Sequence, residues 1–431
     1  MIDQEKPRPE PEKPRPEPEK PAGAQRPSYG KLVLDALTTA NSGTVTALAI
    51  VLALLVGGLI IVVSDEDVLG TFAYLFARPG DALAAVWDAV GGAYSALFKG
   101  AIVDFETLGQ AIAGEAPWHR ALDPMSETLT NAAPLILTGL AVTLAFRAGM
   151  FNIGAQGQAI LGAIGAGVVG FGLHLPPVLH LVVALLAGGL AGAMYGFVPG
   201  WLKARTGAHE VITTIMLNYI ALKLLGWLLT KDAIRQPGRQ DAISKEVDST
   251  ALLPQLAGDA LRVNFGIVVA VLAAFVAAWL LQRSTLGFEL RAVGANPNAA
   301  RTAGMSVGKT YAMTMMISGA LGGLGGSAML LGPAHALTPA VVGEIGFDGI
   351  TVALLGRGKP LGTVLAGLLF GALRAGAVRM QGEADIPVDM VGILQALIVM
   401  FIAAPALVKA VFQLREQRAS AGLGQALAKG W

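Results

Sequence analysis

Glu289, Arg291, Asn296 and Arg301 stand in a polar run, RSTLGFELRAVGANPNAARTAGMSVG, at 283–308, with long apolar stretches on either side. Mixed charge on a short water-facing segment between two apolar spans suits the docking of something in the aqueous phase. A second set of polar groups lies in or beside the apolar stretches: Asn152, Gln156, Gln158, Asn218, Glu344 and Asp348, with Phe151, Tyr219 and Phe347 close by in sequence. Such groups are costly in lipid unless they face protein or water. Each therefore either bonds one helix to another or lines a wet path. The five histidines, His119, His174, His180, His209 and His335, show no i, i+4 pair suited to a metal, and no nucleophile, base and orienting group can be assembled. The reading is of a chain without catalytic chemistry and without a metal site.

The elements that must hold these groups follow from hydropathy. The chain is 54% hydrophobic and only 14% charged, with mean hydropathy +0.60, far from the composition of soluble domains. From Ala148 to Leu202 there is no Asp, Glu, Lys or Arg, and roughly 20 apolar residues cross a bilayer, so this stretch alone predicts two spans. The expected fold is an all-α polytopic membrane protein of about 9–10 transmembrane helices. The spans fall near 44–63, 127–147, 150–173, 178–200, 210–230, 263–282, 309–332, 360–378 and 391–412. A shorter apolar run at 345–356 predicts a broken or re-entrant element, and counting it as a crossing puts both termini on one side. Val68 to Ile102, interrupted by Arg78, Pro79, Asp81 and Asp88, reads as an interfacial or partly inserted segment.

Arg147, the Lys203/Arg205 pair, the run 283–308, the Arg357/Lys359 pair and the tail from Lys409 fall on one side, which the positive-inside rule makes the cytoplasm. The domain reading is thus a cytoplasmic tail at 1–40, a transmembrane domain at 41–412 and a cytoplasmic tail at 413–431. In the first tail EKPRPEP occupies Glu5–Pro11 and recurs at Glu12–Pro18, a composition expected to stay extended and solvated. A net charge of +1 gives no case for nucleic acid, and the absence of cysteine excludes disulfides and thiolate metal sites. The GxxxG pairs Gly319/Gly323, Gly322/Gly326 and Gly367/Gly371 predict close helix packing, within the chain or along a dimer seam.

Two nucleotide-like motifs are rejected. Gly304 to Thr310 is one residue short of a phosphate loop and no strand precedes it, and GAGVVG at Gly165–Gly170 lies inside an apolar helix.

Three segments carry a family resemblance: RAGMFNIGAQGQAILGA at Arg147–Ala163, FELRAVGANPNAARTAGM at Phe288–Met305 and GFDGITVALLGRGKPLG at Gly346–Gly362. Together they resemble the permease subunits of ABC importers of the branched-chain amino acid, sugar and nucleoside class. HEVITTIMLNYIA at His209–Ala221 points to the nucleoside or simple-sugar branch. The resemblance covers roughly residues 40–412 and implies a paired permease in the cell membrane, homologous or identical halves, driven by a cytosolic ABC ATPase subunit and fed by an extracytoplasmic substrate-binding lipoprotein. ATP is then used by the partner, and this chain binds no cofactor and is not an enzyme.

In such permeases the run at 283–308 looks like the segment that couples to the ATPase. The residues assigned to it are Glu289, Arg291, Gly294, Asn296, Pro297, Arg301 and Gly304. Asn296-Pro297-Asn298 is in itself a turn or helix-start signal; the plainer alternative is a solvated loop whose arginines enforce topology. The substrate path is assigned to Phe151, Asn152, Gln156, Asn218, Phe347 and Asp348. Amides with aromatics suit a nucleobase, whereas relatives often carry an acid where this chain has Gln156. The expected function is import of a small polar solute, a nucleoside first, with a simple sugar or branched-chain amino acid as alternatives. An ion-coupled secondary transporter would need an ionisable relay that the sparse intramembrane charge does not supply, and a membrane scaffold would leave the polar run unexplained.

Overall fold

Backbone groups in lipid have no water to bond, so an apolar chain must satisfy them within helices. The computed structural model describes residues 42–413, and the EKPRPEP repeats and the tail beyond Gln413 lie outside the described residues. In chain order the helices are α1 (Ser42–Ser64), α2 (Glu66–Phe72), α3 (Pro79–Ala101), α4 (Phe105–Ala113), α5 (Trp118–Arg147), α6 (Ala155–Gly172), α7 (Pro177–Thr206) and α8 (Glu210–Leu228). They continue with α9 (Gly266–Arg283), α10 (Thr285–Ala295), α11 (Pro297–Thr302), α12 (Val307–Met329), α13 (Ile345–Leu355), α14 (Pro360–Ala384), α15 (Asp389–Ala403) and α16 (Pro405–Val411).

Among the described residues eight helices, α1, α5 to α9, α12 and α14, are long and apolar enough to cross a membrane, α12 together with a π-helical turn at Leu330–Ala334. The all-α polytopic expectation holds. α5 is the hub: Leu135, Ile136, Leu137 and Leu140 are fully buried, and α6, α9, α12, α13 and α14 all pack on it. The small residues do their work inside the chain. Gly162 faces the backbone of Gly323, Gly192 faces Gly319 and Gly323, and Gly371 faces Thr128 and Ala132, so the GxxxG faces on α12 and α14 meet neighbouring helices, where a methyl group would strike backbone or packed side chains.

Three boundaries differ from those read in the sequence. The span expected from 150 begins as a helix only at Ala155; Met150–Ile153 is non-helical. The expected span 391–412 is two helices, α15 and α16, bent by 89°. Pro405 explains this, since it lacks an N–H and disfavours helical backbone at the residue before it. The stretch 68–102 contains one long helix, α3, packed along α14 and tied to α1 by the Tyr94 hydroxyl, which donates to Leu54 O at 2.5 Å.

The short element is the second half of a broken passage. Residues 335–344 run without helix from the loop 231–264, where Val247 N donates to His335 O at 2.9 Å and Ser244 N to Leu337 O at 2.9 Å. They end beside α6, where α13 begins. α13 has 11 residues, about 16 Å of helix against a hydrocarbon core of about 30 Å, so it completes a passage that it could not make alone. With the bent pair α15/α16 counted as one span, the described residues hold up to nine helical spans, and α13 adds a shorter apolar helix. One end carries α10 and α11; the other is capped by the loop 231–264.

Candidate functional site

Non-helical backbone at membrane depth needs bonds from neighbouring elements. The amides singled out in the sequence supply them. Gln156 Nε2 donates to Gly343 O at 2.6 Å while its Oε1 accepts from Gly346 N at 2.9 Å, seating the first turn of α13 on α6. Asn218 Oδ1 accepts from Gly157 N at 2.8 Å and its Nδ2 donates to Ile153 O at 3.0 Å, fixing the start of α6 to α8. Asn152, fully buried, donates to Gln158 Oε1 at 2.9 Å and to Ser318 Oγ at 2.7 Å. The bonding of all three amides is thus directed at protein. Gln156 holds the backbone of the broken passage, Asn218 the start of α6, and Asn152 the side chains of Gln158 and Ser318.

Asp348 is placed differently. It pairs with Arg374 of α14, and the two side chains are 19% and 29% exposed, so the pair is screened from bulk water yet not sealed. Above it a cavity of about 630 Å³ lies between α13, α14 and α15, lined by Glu344, Asp348, Thr351, Arg374, Asp389 and Gln395 among others. Asp389 opens α15 at the capped end, and Arg374 lies ten residues before the end of α14, about 15 Å down the helix. The cavity is therefore a vestibule entered from the capped end, with the Asp348–Arg374 pair in its floor. Phe347 is exposed at the same depth, and Phe151 is exposed beside Phe146 with ring centroids 4.9 Å apart. Tyr219 is exposed on a surface shared with Ile220, Leu224 and Trp227, away from the vestibule. A larger cavity, about 680 Å³, lies between α1, α3 and the start of α15. Its charged residues are Asp65, Asp67, Asp88, Lys99, Glu383 and Asp385, and none of the broken passage lines it.

Arg374, Asp389 and Gln395 escaped the sequence reading. Arg374 had a signal: it is the single charged residue between Lys359 and Arg379, and an ionisable group inside a span is a functional candidate by default.

The polar run is a helix pair. Asn296 caps α11, its Oδ1 accepting from Asn298 N at 3.0 Å and Ala299 N at 3.1 Å, and Pro297 takes the first helical position, where its missing N–H costs nothing. Arg291, Asn296, Arg301 and Gly304 are exposed, Glu289 and Pro297 are half-buried, and Ala300 is buried against Val293 and Val307. Gly294 faces inward: a Cβ there would lie 2.3 Å from Arg147 O and 2.9 Å from Gly149 N. Arg147 in turn donates from Nε to Gly358 O at 2.6 Å, at the turn between α13 and α14. A line of direct contacts thus runs from the exposed helix pair, through Gly294 and Arg147, to the two helices that hold the vestibule floor.

Residues 125–403 match the family described as the branched-chain amino acid transport system permease component. The chain belongs to this permease family. Over 280 residues, 65% of this chain and 80% of the relative, it is 38% identical to the guanosine ABC transporter permease protein NupP of Bacillus subtilis. It is 36% identical over 293 residues to the nucleoside ABC transporter permease protein NupB of Lactococcus lactis, covering 65% of this chain and 79% of that one. The glucose ABC transporter permease protein TsgB13 of Haloferax volcanii is 36% identical over 287 residues, 64% of this chain and 75% of the relative. With eight helices among its described residues long and apolar enough to cross a membrane, the chain is a multi-pass membrane protein, and the family match spans α5 to α15, from the hub helix to the vestibule wall.

Proposed function

We propose that this chain is the permease subunit of an ATP-driven importer for a nucleoside, set in the cell membrane with both termini in the cytoplasm. The observation that carries the reading is the seat of Gly294 on Arg147 and Gly149. A rigid contact between an exposed amphipathic helix pair and the turn between α5 and α6 is what a transmitted push requires. In this reading α10 and α11 dock on a cytosolic ATPase subunit through Glu289, Arg291, Asn296, Pro297 and Arg301, with Gly304 closing the segment. Movement reaches α13 and α14 through Arg147 and Gly358. The vestibule then faces outward, towards a substrate-binding lipoprotein, and a second permease, identical or homologous, completes the pore.

Asp348 and Phe347 border the route, with Phe151 exposed where it continues. Asn152, Gln156 and Asn218 serve it indirectly, by holding the non-helical backbone in register. The chain itself binds no ATP in this account.

The nucleoside assignment rests on the guanosine and nucleoside permeases among the relatives. A simple sugar is the second reading, because the glucose permease is as similar as one of them. Reconstitution in proteoliposomes with and without the ATPase subunit tests the mechanism: uptake that requires both ATP and that subunit is the expected result, and uptake by this chain alone under an ion gradient refutes it. Thermal stabilisation of the purified binding protein by a panel of nucleosides and sugars then separates the two solute classes.

A further inference from the structure

We infer that the vestibule between α13, α14 and α15 is a recognition site for neutral, hydroxyl-rich solutes, and that its charge turns away their phosphorylated forms. The inference rests on the importer reading and deepens it.

Its volume of about 630 Å³ is in the range of small-molecule pockets. Three carboxylates, Glu344, Asp348 and Asp389, line it against a single cation, Arg374, whose guanidinium is engaged by Asp348. Ionised carboxylates only accept hydrogen bonds, so what they can bind is a donor: a sugar hydroxyl, and above all two adjacent hydroxyls that reach one carboxylate together. Gln395 supplies the complementary amide, able both to donate to a carbonyl and to accept from an N–H, while Val388, Val391 and Ala396 give apolar wall. A ribonucleoside or a sugar meets each of these groups with a partner. A phosphate or a free carboxylate meets an excess of like charge in a site partly shielded from water, with the one cation already paired.

The absence of cysteine from the chain permits a direct test in membrane vesicles containing the full chain. Thr351→Cys places a thiol in the vestibule beside the ion pair, and Val388→Cys places one nearer the mouth. Each is treated with trimethylammonium-ethyl and sulfonato-ethyl methanethiosulfonate, with rates normalised to those on a free thiol in solution. The expected result is a preference for the cationic reagent of about tenfold, reduced by Glu344→Gln or Asp389→Asn. Uridine should slow the modification, and uridine monophosphate should not. Equal normalised rates, no modification at either position, or protection by the nucleotide as strong as by the nucleoside overturns the inference. The readout needs neither ATP nor a partner, so it stands or fails separately from ATP-driven uptake.

Discussion

Arg374 and Asp348 face one another from α14 and α13 and form an ion pair in the floor of the vestibule. The pair ties the two helices together at the vestibule floor. Arg374→Gln and Asp348→Asn each leave a partly buried charge without its partner, and each should cost about 3 kcal/mol of stability, read by equilibrium unfolding in mixed micelles. The double variant should be more stable than the sum of the single losses implies, with a coupling of about 1–3 kcal/mol. Strict additivity would mean that the two side chains do not act together.

Gly294→Ala drives a methyl group to within 2.3 Å of Arg147 O, and backbone cannot yield cheaply there. Insertion and expression are expected to persist, because α10 lies outside the long apolar helices. ATP hydrolysis stimulated by loaded binding protein should be lost. Stimulation at the wild-type level would remove the mechanical role given to this contact.

Asn152→Ala strands Gln158, which exchanges two bonds with its amide, and takes one donor from Ser318, whose hydroxyl keeps its bond to Ala141 O. Interhelical hydrogen bonds in membranes contribute about 1–2 kcal/mol at most, and the loss should be of that size. The spectrum of transported solutes should not change, since the amide faces protein. An altered solute preference with unaltered stability would move Asn152 into the recognition surface.

Asp104 lies outside the spans, in the connection between α3 and α4. Burial pushes its carboxyl upward, but the Arg379 guanidinium, bonded at 2.6 Å, and Glu106 N, at 3.1 Å, outweigh this and hold it below the usual carboxylate range. A depressed carboxyl stabilises the fold above its unfolded pKa and loses that contribution as pH falls through the folded value. The stability advantage of the wild type over Asp104→Asn should therefore be full near neutrality and shrink on acidification, as measured by thermal unfolding across pH. An advantage that grows in acid would reverse the assigned sign.

Much of this was legible in the sequence because lipid is an undemanding reader: a span needs length and apolarity, and α5, α7, α9 and α14 announce both. Asn296-Pro297 read as a turn or a helix start, and it is the start of α11, made by local chemistry that needs no tertiary partner. What a polar group inside a span does was not legible. Gln156 on α6 and Asp348 on α13 are both polar residues in helices of the bundle, yet one is used up on backbone and the other borders a cavity. Helices apolar on all sides have no periodicity from which the facing direction can be read. The clasp of the loop 231–264 on residues 331–337 was hidden for a similar reason, since its bonds are between backbone groups that any sequence carries.

The proposed importer function requires α10 and α11 to lie in the cytoplasm and to receive a push from an ATPase. Arg301 is exposed on α11, and Arg301→Cys would be the only thiol in the chain. In intact cells a membrane-impermeant maleimide should leave this cysteine unlabelled, whereas in inverted vesicles it should react fully and be protected when the ATPase subunit is bound. Labelling in intact cells would place the segment on the outer face and contradict the account.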